Sequence, residues 1–335
     1  MSASARHPLP LDRWGPDRCE SMDEPQSRAW CRRFAASHSE NFPVLTALVP
    51  EDRRDDFAAL YAFCRWADDL GDESGTPERA MQLLQWWRTV LSACVAGDPP
   101  RHPVFLALSA TIRRHQIPAQ PFHDLITAFE MDQSVTRFAT WSEVEGYCRL
   151  SADPVGRLVL MILGEPRDAE TFALSDRICT GLQLANHWQD IRRDRVERNR
   201  VYVPAEVNPI PDFERRLEVT VRQGFACDPT FLEESRRLVA ALVDRTWPFF
   251  DEGRRLLERV SPSSRPVIEM FIEGGESVLT SIARWNFETV LHRPRITAPM
   301  KAWMVARAWV RVRLAGLRGG GGTSAPHAAL GGGAR

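Results

Sequence analysis

Apolar residues recur with helical spacing along most of the chain, from about residue 26 to residue 315. Intervals of three and four residues predict α-helices, and the period-two alternation that marks strands is nearly absent. Proline and glycine clusters separate the periodic stretches. The predicted helices cover residues 26–37, 51–71, 77–96, 102–115, 119–132, 141–149, 154–163, 168–193, 229–258, 264–287 and 298–314. The pattern therefore predicts an all-α fold.

The linkers between these helices are mostly short, which favours one helical bundle over two domains. At 335 residues with 44% hydrophobic content, the chain is long enough to bury one large core. We expect a flexible N-terminal lead over 1–25, a single helical domain over 26–315, and a disordered Gly/Ala-rich tail over 316–335.

Two of the predicted helices are apolar on most of their surface but carry one line of polar side chains. In the first, Tyr61, Arg65, Asp68 and Asp72 fall within an arc of about 60°. The second helix repeats the arrangement with Gln183, Asn186, Asp190 and Asp194. The other positions of both helices are apolar, so we expect the helices to be buried and the carboxylates to face the protein interior. Buried carboxylates are costly to keep ionised alone, so a cation is needed beside them.

Mg²⁺ is the cation that suits such a site best. It takes oxygen ligands and is usually held by one or two carboxylates together with substrate phosphates. Two facing carboxylate helices are therefore predicted to hold two or three Mg²⁺ ions with a diphosphate between them, assisting its departure. The alternative is an ordinary solvated acidic face on each helix. The repetition of the pattern favours the metal interpretation.

Composition excludes several other classes of protein. The net charge is −1 without a long charge run, which gives a nucleic-acid partner no support. Lys301 is the only lysine, which excludes a P-loop. The seven cysteines lack a CxxC spacing and predict reduced core residues, and the eight histidines form no HExxH motif for zinc. The sequence contains no stretch of 18 apolar residues, so we expect no membrane-spanning helix.

The two aspartate motifs resemble those of the squalene/phytoene synthase family. Its first aspartate region is similar to HSENFPVLTALVPEDRRDDFAALYAFCRWADDLGDE (38–73), and its second to GLQLANHWQDIRRD (181–194). The similarity spans about residues 26–312. The resemblance implies an isoprenoid-synthase helical bundle around a deep apolar cavity, with a prenyl diphosphate as the substrate.

The resemblance also implies roles for individual residues. The catalytic carboxylates would be Asp68, Asp72, Asp190 and Asp194. These four and Asn186 would hold the metal, and Asp69 would be a more distant or alternate ligand. Substrate contacts would come from His38, Ser39, Tyr61, Arg65, Gln183, Arg200 and Tyr202. Three alternatives stand beside these roles. Arg65 also has the spacing for an ion pair with Asp68 or Asp69. His38 and Ser39 also suit a helix cap or the surface, and Tyr61 also suits an ordinary core position.

Within the family, residues 147–160, 186–190 and 292–294 most resemble the bacterial branch of hopanoid biosynthesis that forms hydroxysqualene. Gln189, next to Trp188, stands where enzymes that condense two farnesyl diphosphates commonly have Arg, and Asp153-Pro154 departs from their Ala-Gly-x-Val-Gly segment. The loss of a cation beside the metal site suits a substrate with one diphosphate.

The expected reaction therefore converts presqualene diphosphate and water to hydroxysqualene and diphosphate, with Mg²⁺ and without NADPH. One alternative is a synthase that condenses two prenyl diphosphates, to presqualene diphosphate, squalene or phytoene. The other is a non-catalytic assembly factor on the same fold.

The expected substrate and product are apolar 30-carbon chains. We therefore expect a cytosolic protein that associates loosely with the inner face of the membrane. We also expect coupling to neighbouring enzymes of the pathway. The segment proposed for docking is 298–314, which carries Trp303, Arg307, Trp309, Arg311 and Arg313. The alternative for this segment is a packed terminal helix with a basic outer face.

Overall fold

The computed structural model describes residues 9–38, 48–98 and 101–294, and these ranges contain α-helices, short 3₁₀ segments and no β-strand. The predicted all-α class is confirmed. The helices are α1 Leu11–Trp14, α2 Glu24–His38, α3 Arg54–Asp72, α4 Pro77–Val95, α5 Pro103–His115, α6 Gln120–Met131, α7 Trp141–Ser151, α8 Asp153–Leu163, α9 Ala169–Gln189, α10 Ile191–Arg198, α11 Phe213–Gln223, α12 Pro229–Gly253, α13 Leu256–Arg259 and α14 Arg265–Arg284.

Side-chain caps mark the starts of several helices. The hydroxyl of Thr76 accepts a hydrogen bond from the Arg79 amide at the start of α4. Thr140 and Glu143 form a reciprocal capping box at the start of α7. Asp168 accepts from the Thr171 amide at the start of α9. These side chains satisfy amide groups that a helix leaves without intrahelical partners, which explains why the helices begin there.

Two clusters of buried apolar side chains form the core. One joins the N-terminal helices α1–α5 to α6 and α8, and the other joins α6–α14. In the first cluster, the rings of Trp66 and Trp87 stack with centroids 5.9 Å apart. Phe172 and Phe271 pack against both clusters. The two motif helices thus belong to different clusters, α3 to the first and α9 to the second.

Part of the expected flexible lead over residues 1–25 lies within the described residues and packs against the core. Residues 11–14 form a helical turn, and Trp14 is only 2% exposed. Its ring packs edge-on against Trp30 at a centroid distance of 5.3 Å. The large apolar area of a tryptophan is sufficient to hold a polar segment against the core.

The prediction of one continuous helix over 168–193 is wrong. α9 ends at Gln189, and Asp190, at φ −105° and ψ 12°, separates it from α10. The sequence analysis also missed α11, Phe213–Gln223. Ser39, the segment 298–314 and the tail 316–335 lie outside the described residues. None of the described helices combines the length and hydropathy needed to cross a membrane.

Candidate active site

The motif carboxylates lie near helix ends. Asp68 and Asp72 occupy the last turns of α3, and Asp190 is the residue between α9 and α10. The C-terminal end of a helix carries partial negative charge, which disfavours anions and favours cations. Asp68 and Asp72 therefore stand where a positive charge is stabilising, whereas Asp190 also forms the N-terminal cap of α10. Asp194 follows in the first turn of α10.

Arg65 neutralises the acids of its own helix. Its Nη1 donates to Asp68 Oδ2 at 3.2 Å, and its Nε donates to Asp69 Oδ2 at 3.1 Å. Its Nη2 lies 2.5 Å from Asp69 Oδ1, which completes a bidentate pair. The ion pairs expected from the sequence spacing are therefore present. The Asp69 side chain is 5% exposed and occupied by Arg65, while that of Asp68 is 35% exposed.

Two arginines that follow the second motif reach the first motif. Arg198, at the end of α10, forms an ion pair with Asp72 Oδ2. That oxygen is buried and accepts no well-aligned hydrogen bond from the described residues despite the contact. Arg200 donates to Asp72 Oδ1 at 3.4 Å. The two motifs are therefore joined through side chains, with Asp72 between two guanidinium groups.

A partly buried acid that the sequence did not reveal, Asp132, holds Arg200 from the other side. Arg200 Nη2 donates to the Asp132 carbonyl at 3.0 Å, and Arg200 Nη1 lies 3.4 Å from Asp132 Oδ2. The Tyr147 hydroxyl donates to the same Oδ2 at 3.2 Å. Tyr147 also packs near Tyr202, with ring centroids 5.6 Å apart. Asp132 and Tyr147 therefore fix the position of Arg200 beside Asp72.

His187 supports Tyr202 from the second motif helix. The two rings stack with centroids 3.7 Å apart and an interplanar angle of 16°. His187 is 5% exposed, and its Nε2 has no hydrogen-bond partner in the described part of the chain. Burial lowers the pKa of His187 to about 3, so the imidazole is neutral at physiological pH. Its contribution is to pack the segment that carries Arg200 and Tyr202.

Asp190 is held by an arginine from the end of the described chain. Arg293 donates through Nε to Asp190 Oδ1 and through Nη2 to Asp190 Oδ2, the latter at 2.9 Å. Arg193, one turn along α10, lies 3.5 Å from Oδ2. The neighbouring Gln189 accepts from Arg293 Nη2 at 3.4 Å and donates to the Pro294 carbonyl at 2.7 Å.

The acids at this site remain under-neutralised despite the arginines. Burial raises the pKa of Asp68, and repulsion from Asp72 adds to the effect. Burial also raises the pKa of Asp132 to about 7, and that of Asp194 to about 7 with further repulsion from Asp190. Burial lowers the pKa of Arg198, but the carboxylates of Asp72 and Asp68 raise it by more. An added cation would therefore stabilise the ionised form of these carboxylates.

The side chains of the two motifs offer the type of donor atom that magnesium binds. The oxygen donors on both motifs are carboxylates and an amide, which are the ligands that a hard divalent cation takes. Within residues 9–38, 48–98 and 101–294, no three His, Cys, Asp or Glu side chains converge closely enough to hold one metal ion. Arginines contact Asp68, Asp72 and Asp190 in this conformation. Metal binding would therefore require these carboxylates to exchange guanidinium partners for the ion.

An apolar cavity of about 170 Å³ lies beside Gln183, one turn before Asn186 on α9. Its walls come from α8, α9, α13 and α14 and include Val159, Leu256 and Phe271. Gln183 is the residue of the predicted substrate set that lines this cavity. The cavity thus adjoins the second motif helix at Gln183.

The remaining predicted site residues have varied positions. Tyr61 is partly buried and close enough to raise the pKa of Arg65. Asn186 is exposed and takes no part in the ion pairs described above. His38 ends α2, and its defined contacts include the Phe34 carbonyl at 2.9 Å. Of the predicted set, the structure brings together Arg65, Asp68, Asp72, Arg200 and Tyr202, with Asp194 and Asp190 adjoining them.

Sequence reasoning missed Asp132, Tyr147, Arg198 and Arg293 as members of this site. Tyr147 opens the run 147–160, whose similarity to the family was noticed without a role for the residue. Arg198 lies in a run that contains several arginines, and their spacing does not distinguish Arg198 as a site residue. Asp132 and Arg293 are distant in sequence from both motifs, so only the fold brings them near.

Comparison with known proteins identifies the family of this chain. The family model for squalene/phytoene synthase matches residues 35–301. The chain belongs to the squalene/phytoene synthase family. It is 40% identical to a crystal structure of squalene synthase HpnC from Alicyclobacillus acidocaldarius, with a TM-score of 0.69, covering 79% of this chain and 96% of that one.

Two curated relatives represent different branches of the family. A hydroxysqualene synthase from Sinorhizobium fredii is 38% identical over 176 residues, which is 52% of this chain. The matched stretch spans only 58% of that enzyme's length. A phytoene synthase from Arthrospira platensis is 32% identical over 85% of this chain and 93% of the relative. The fold prediction of an isoprenoid-synthase helical bundle is confirmed.

Proposed function

We propose that this protein converts presqualene diphosphate and water to hydroxysqualene and diphosphate in a Mg²⁺-dependent reaction. The observation that carries the proposal is the convergence of Arg198 and Arg200 on Asp72, which joins the two aspartate motifs at one polar site. The nearby apolar cavity at Gln183 supplies space for a hydrocarbon chain. The similarity to hydroxysqualene synthase from Sinorhizobium fredii supports this branch of the family.

The chain's own residues account for binding and orientation of the diphosphate. Arg65, Arg198 and Arg200 are already aimed by carboxylates, and a guanidinium held in this way is pre-organised for phosphate oxygens. We assign the metal to Asp68, Asp72, Asn186, Asp190 and Asp194. Mg²⁺, when bound, would supply neutralisation of the charge on the leaving diphosphate.

The cavity accounts for control of water. A carbocation survives only where bulk water is excluded, and the cavity walls at Val159, Leu256 and Phe271 are apolar. Its volume of about 170 Å³ is below the 300–1,000 Å³ of typical ligand pockets. We therefore expect the helices that line it to separate when a 30-carbon substrate binds.

A second candidate function, condensation of two prenyl diphosphates, is favoured by one observation. Sequence analysis associated Gln189 with the loss of a cation beside the metal site. The structure instead places Arg293 against Gln189 and Asp190, so a cation is present at this position. The similarity to phytoene synthase over 93% of that protein points in the same direction. The non-catalytic alternative is disfavoured because both carboxylate motifs are retained.

Product analysis separates the candidates. Purified protein is incubated with Mg²⁺ and either presqualene diphosphate or farnesyl diphosphate in ¹⁸O-labelled water, in parallel reactions without and with NADPH. The proposal predicts an alcohol from presqualene diphosphate that carries the label, and slow or absent turnover of farnesyl diphosphate. Efficient condensation of farnesyl diphosphate, or formation of squalene only when NADPH is added, would overturn it in favour of the second candidate.

A further inference from the structure

The chain segment after α10 lies alongside the segment that joins α6 to α7. We call residues 199–206 the site segment, because it carries Arg200 and Tyr202, and residues 132–140 the support segment. Amides of the site segment donate hydrogen bonds to carbonyls of the support segment at 2.9–3.0 Å. The pairs are Val201 with Thr136, Ala205 with Phe138 and Glu206 with Ala139. The support segment therefore fixes the path of the backbone that carries Arg200.

The Arg137 side chain adds a second connection between the two segments. Its Nη1 donates to the Asn199 carbonyl at 2.5 Å, and its Nη2 donates to Asn199 Oδ1 at 3.1 Å. Its Nε and Nη2 also donate to the two carboxylate oxygens of Glu214 on α11, at 2.6 Å and 2.5 Å. A guanidinium that a carboxylate holds through two parallel bonds has a fixed orientation. Glu214 therefore fixes the Arg137 guanidinium against Asn199.

Asn199 is the residue at which the chain leaves α10 and enters the site segment. Its φ of 53° lies in the left-handed region, which asparagine adopts more readily than most residues. The Asn199 side chain also accepts from Arg195 Nη1 at 2.8 Å. Asn199 directly precedes Arg200, whose amide donates to the Asp194 carbonyl at 2.9 Å. A change in the backbone at Asn199 would therefore change the direction in which the Arg200 side chain leaves the chain.

Side chains do not fill the space beside the site segment. An open cavity of about 390 Å³ is lined by Val201 and Val203 of the site segment, by Arg137 and by Phe213 of α11. Loosely packed segments open at a lower cost in free energy than the core does. The position of the site segment on this side therefore depends on the hydrogen bonds from Arg137.

We propose that Arg137 is a positioning residue that holds Arg200 beside Asp72 and Asp132 through Asn199. Arg137 acts on the backbone next to Arg200 and not on the ligand. That the ligand is a diphosphate rests on the proposed function, whereas the role of Arg137 rests on its contacts with Asn199. Without these contacts the site segment would shift, and Arg200 would spend less time beside the two acids.

A double-mutant cycle on the full chain tests the proposal without turnover. Calorimetric titration with inorganic diphosphate in the presence of Mg²⁺ gives the dissociation constants of wild type, Arg137→Gln, Arg200→Gln and the double variant. Arg200→Gln should weaken binding about tenfold or more, because a charged contact with phosphate is lost. Arg137→Gln should weaken binding about fivefold. The double variant should bind no more weakly than Arg200→Gln, because Arg137 acts through Arg200.

Further variants separate position from charge and from folding. Arg137→Lys keeps the charge but loses the two-pronged geometry, so its affinity should stay close to that of Arg137→Gln. Glu214→Gln leaves Arg137 without its charged anchor and should weaken binding about twofold. Arg216→Gln is the matched control, since Arg216 also lies on α11 and donates to two acids, Glu234 at 2.7 Å and Asp228 at 3.1 Å. It should leave the dissociation constant unchanged.

Hydrogen exchange in the ligand-free protein tests the Arg137 contacts independently of the ligand. In Arg137→Gln, the Val201 and Ala205 amides should exchange faster than in wild type, because their hydrogen bonds to the support segment open more often. Arg216→Gln should keep the wild-type rates at both amides.

The results that overturn the inference are specific. Wild-type affinity in Arg137→Gln or in Arg137→Lys overturns it, and so does a loss in the double variant equal to the product of the two single losses. If Arg137→Gln does not fold, wild-type affinity of Glu214→Gln overturns it. Wild-type protein that binds no diphosphate contradicts the proposed function. The exchange rates then decide the inference: unchanged rates at Val201 in Arg137→Gln overturn it, and faster rates support it.

Discussion

The two ends of α3 carry acids in opposite electrostatic situations, and only the acid at the first end, Asp56, is fully buried. Asp56, in the first turn, is fully buried and accepts from Thr111 Oγ1 at 2.8 Å and from Arg114 Nη1 at 3.3 Å. His115 Nε2 lies 2.8 Å from Asp56 Oδ2, the oxygen that also accepts from Arg114. At the last turns, Asp68 and Asp72 face each other's charge, with Asp72 Oδ2 lacking a well-aligned hydrogen bond.

The difference shows which end of the helix is built for stability and which for binding. The positive N-terminal end of the helix dipole and several donors surround Asp56, so its charge is compensated within the protein. The negative C-terminal end lies beside Asp68 and Asp72, so these charges depend on arginines and on added cations. The same helix thus carries a compensated charge at one end and, at the other, carboxylates that are paired with arginines.

The largest change in the free energy of unfolding is expected at the first turn of α3, where the charge of Asp56 is compensated. Asp56→Ala should lower the free energy of unfolding by about 3–5 kcal/mol, because it leaves the buried partners of the carboxylate without an acceptor. Urea denaturation followed by circular dichroism measures the loss. Asp68→Ala is the matched control and should cost much less, since it relieves repulsion from Asp72. Equal losses for the two variants would remove the distinction between the two ends.

A smaller effect is expected at another buried acid, Asp153, which is 3% exposed. Burial raises its pKa to about 7, although Thr180 Oγ1 donates to it at 2.9 Å. Its stabilising contribution is therefore complete below the unfolded pKa of about 4 and is lost as the pH rises through about 7. Asp153→Asn should be more stable than wild type by about 1–3 kcal/mol at pH 8, with little difference near pH 4.

A control variant at Asp168 should show a pH dependence of stability with the opposite sign. Asp168 is exposed and caps α9, and its hydrogen bonds to Thr171 lower its pKa to about 2. Asp168→Asn should therefore lose stability relative to wild type at neutral pH and lose the difference as the pH falls through about 2. Thermal denaturation of the two variants across pH measures both trends. Parallel curves for Asp153→Asn and wild type would contradict the assigned burial effect.

Local pattern was sufficient to predict the helices that carry the site. Apolar spacing placed Arg54–Asp72 and most of Ala169–Gln189, and the i,i+3 and i,i+4 spacing placed Arg65 against its acids. Local pattern did not predict the break at Asp190, since it coincides with the contacts from Arg293 and Pro294. Tertiary contacts of this kind override helix propensity. Asp132 was missed for the same reason, because its role comes from Arg200 across the fold.

The central claim is that the acids of both motifs act together on one diphosphate. The most direct test measures turnover of presqualene diphosphate at saturating Mg²⁺ by Asp72→Asn and Asp190→Asn, each checked for an unchanged helical circular dichroism spectrum. Either substitution should abolish turnover, because each removes a charge proposed to bind metal on one side of the site while keeping the side-chain shape. Near-wild-type turnover by either variant, with the helical spectrum intact, would contradict the account.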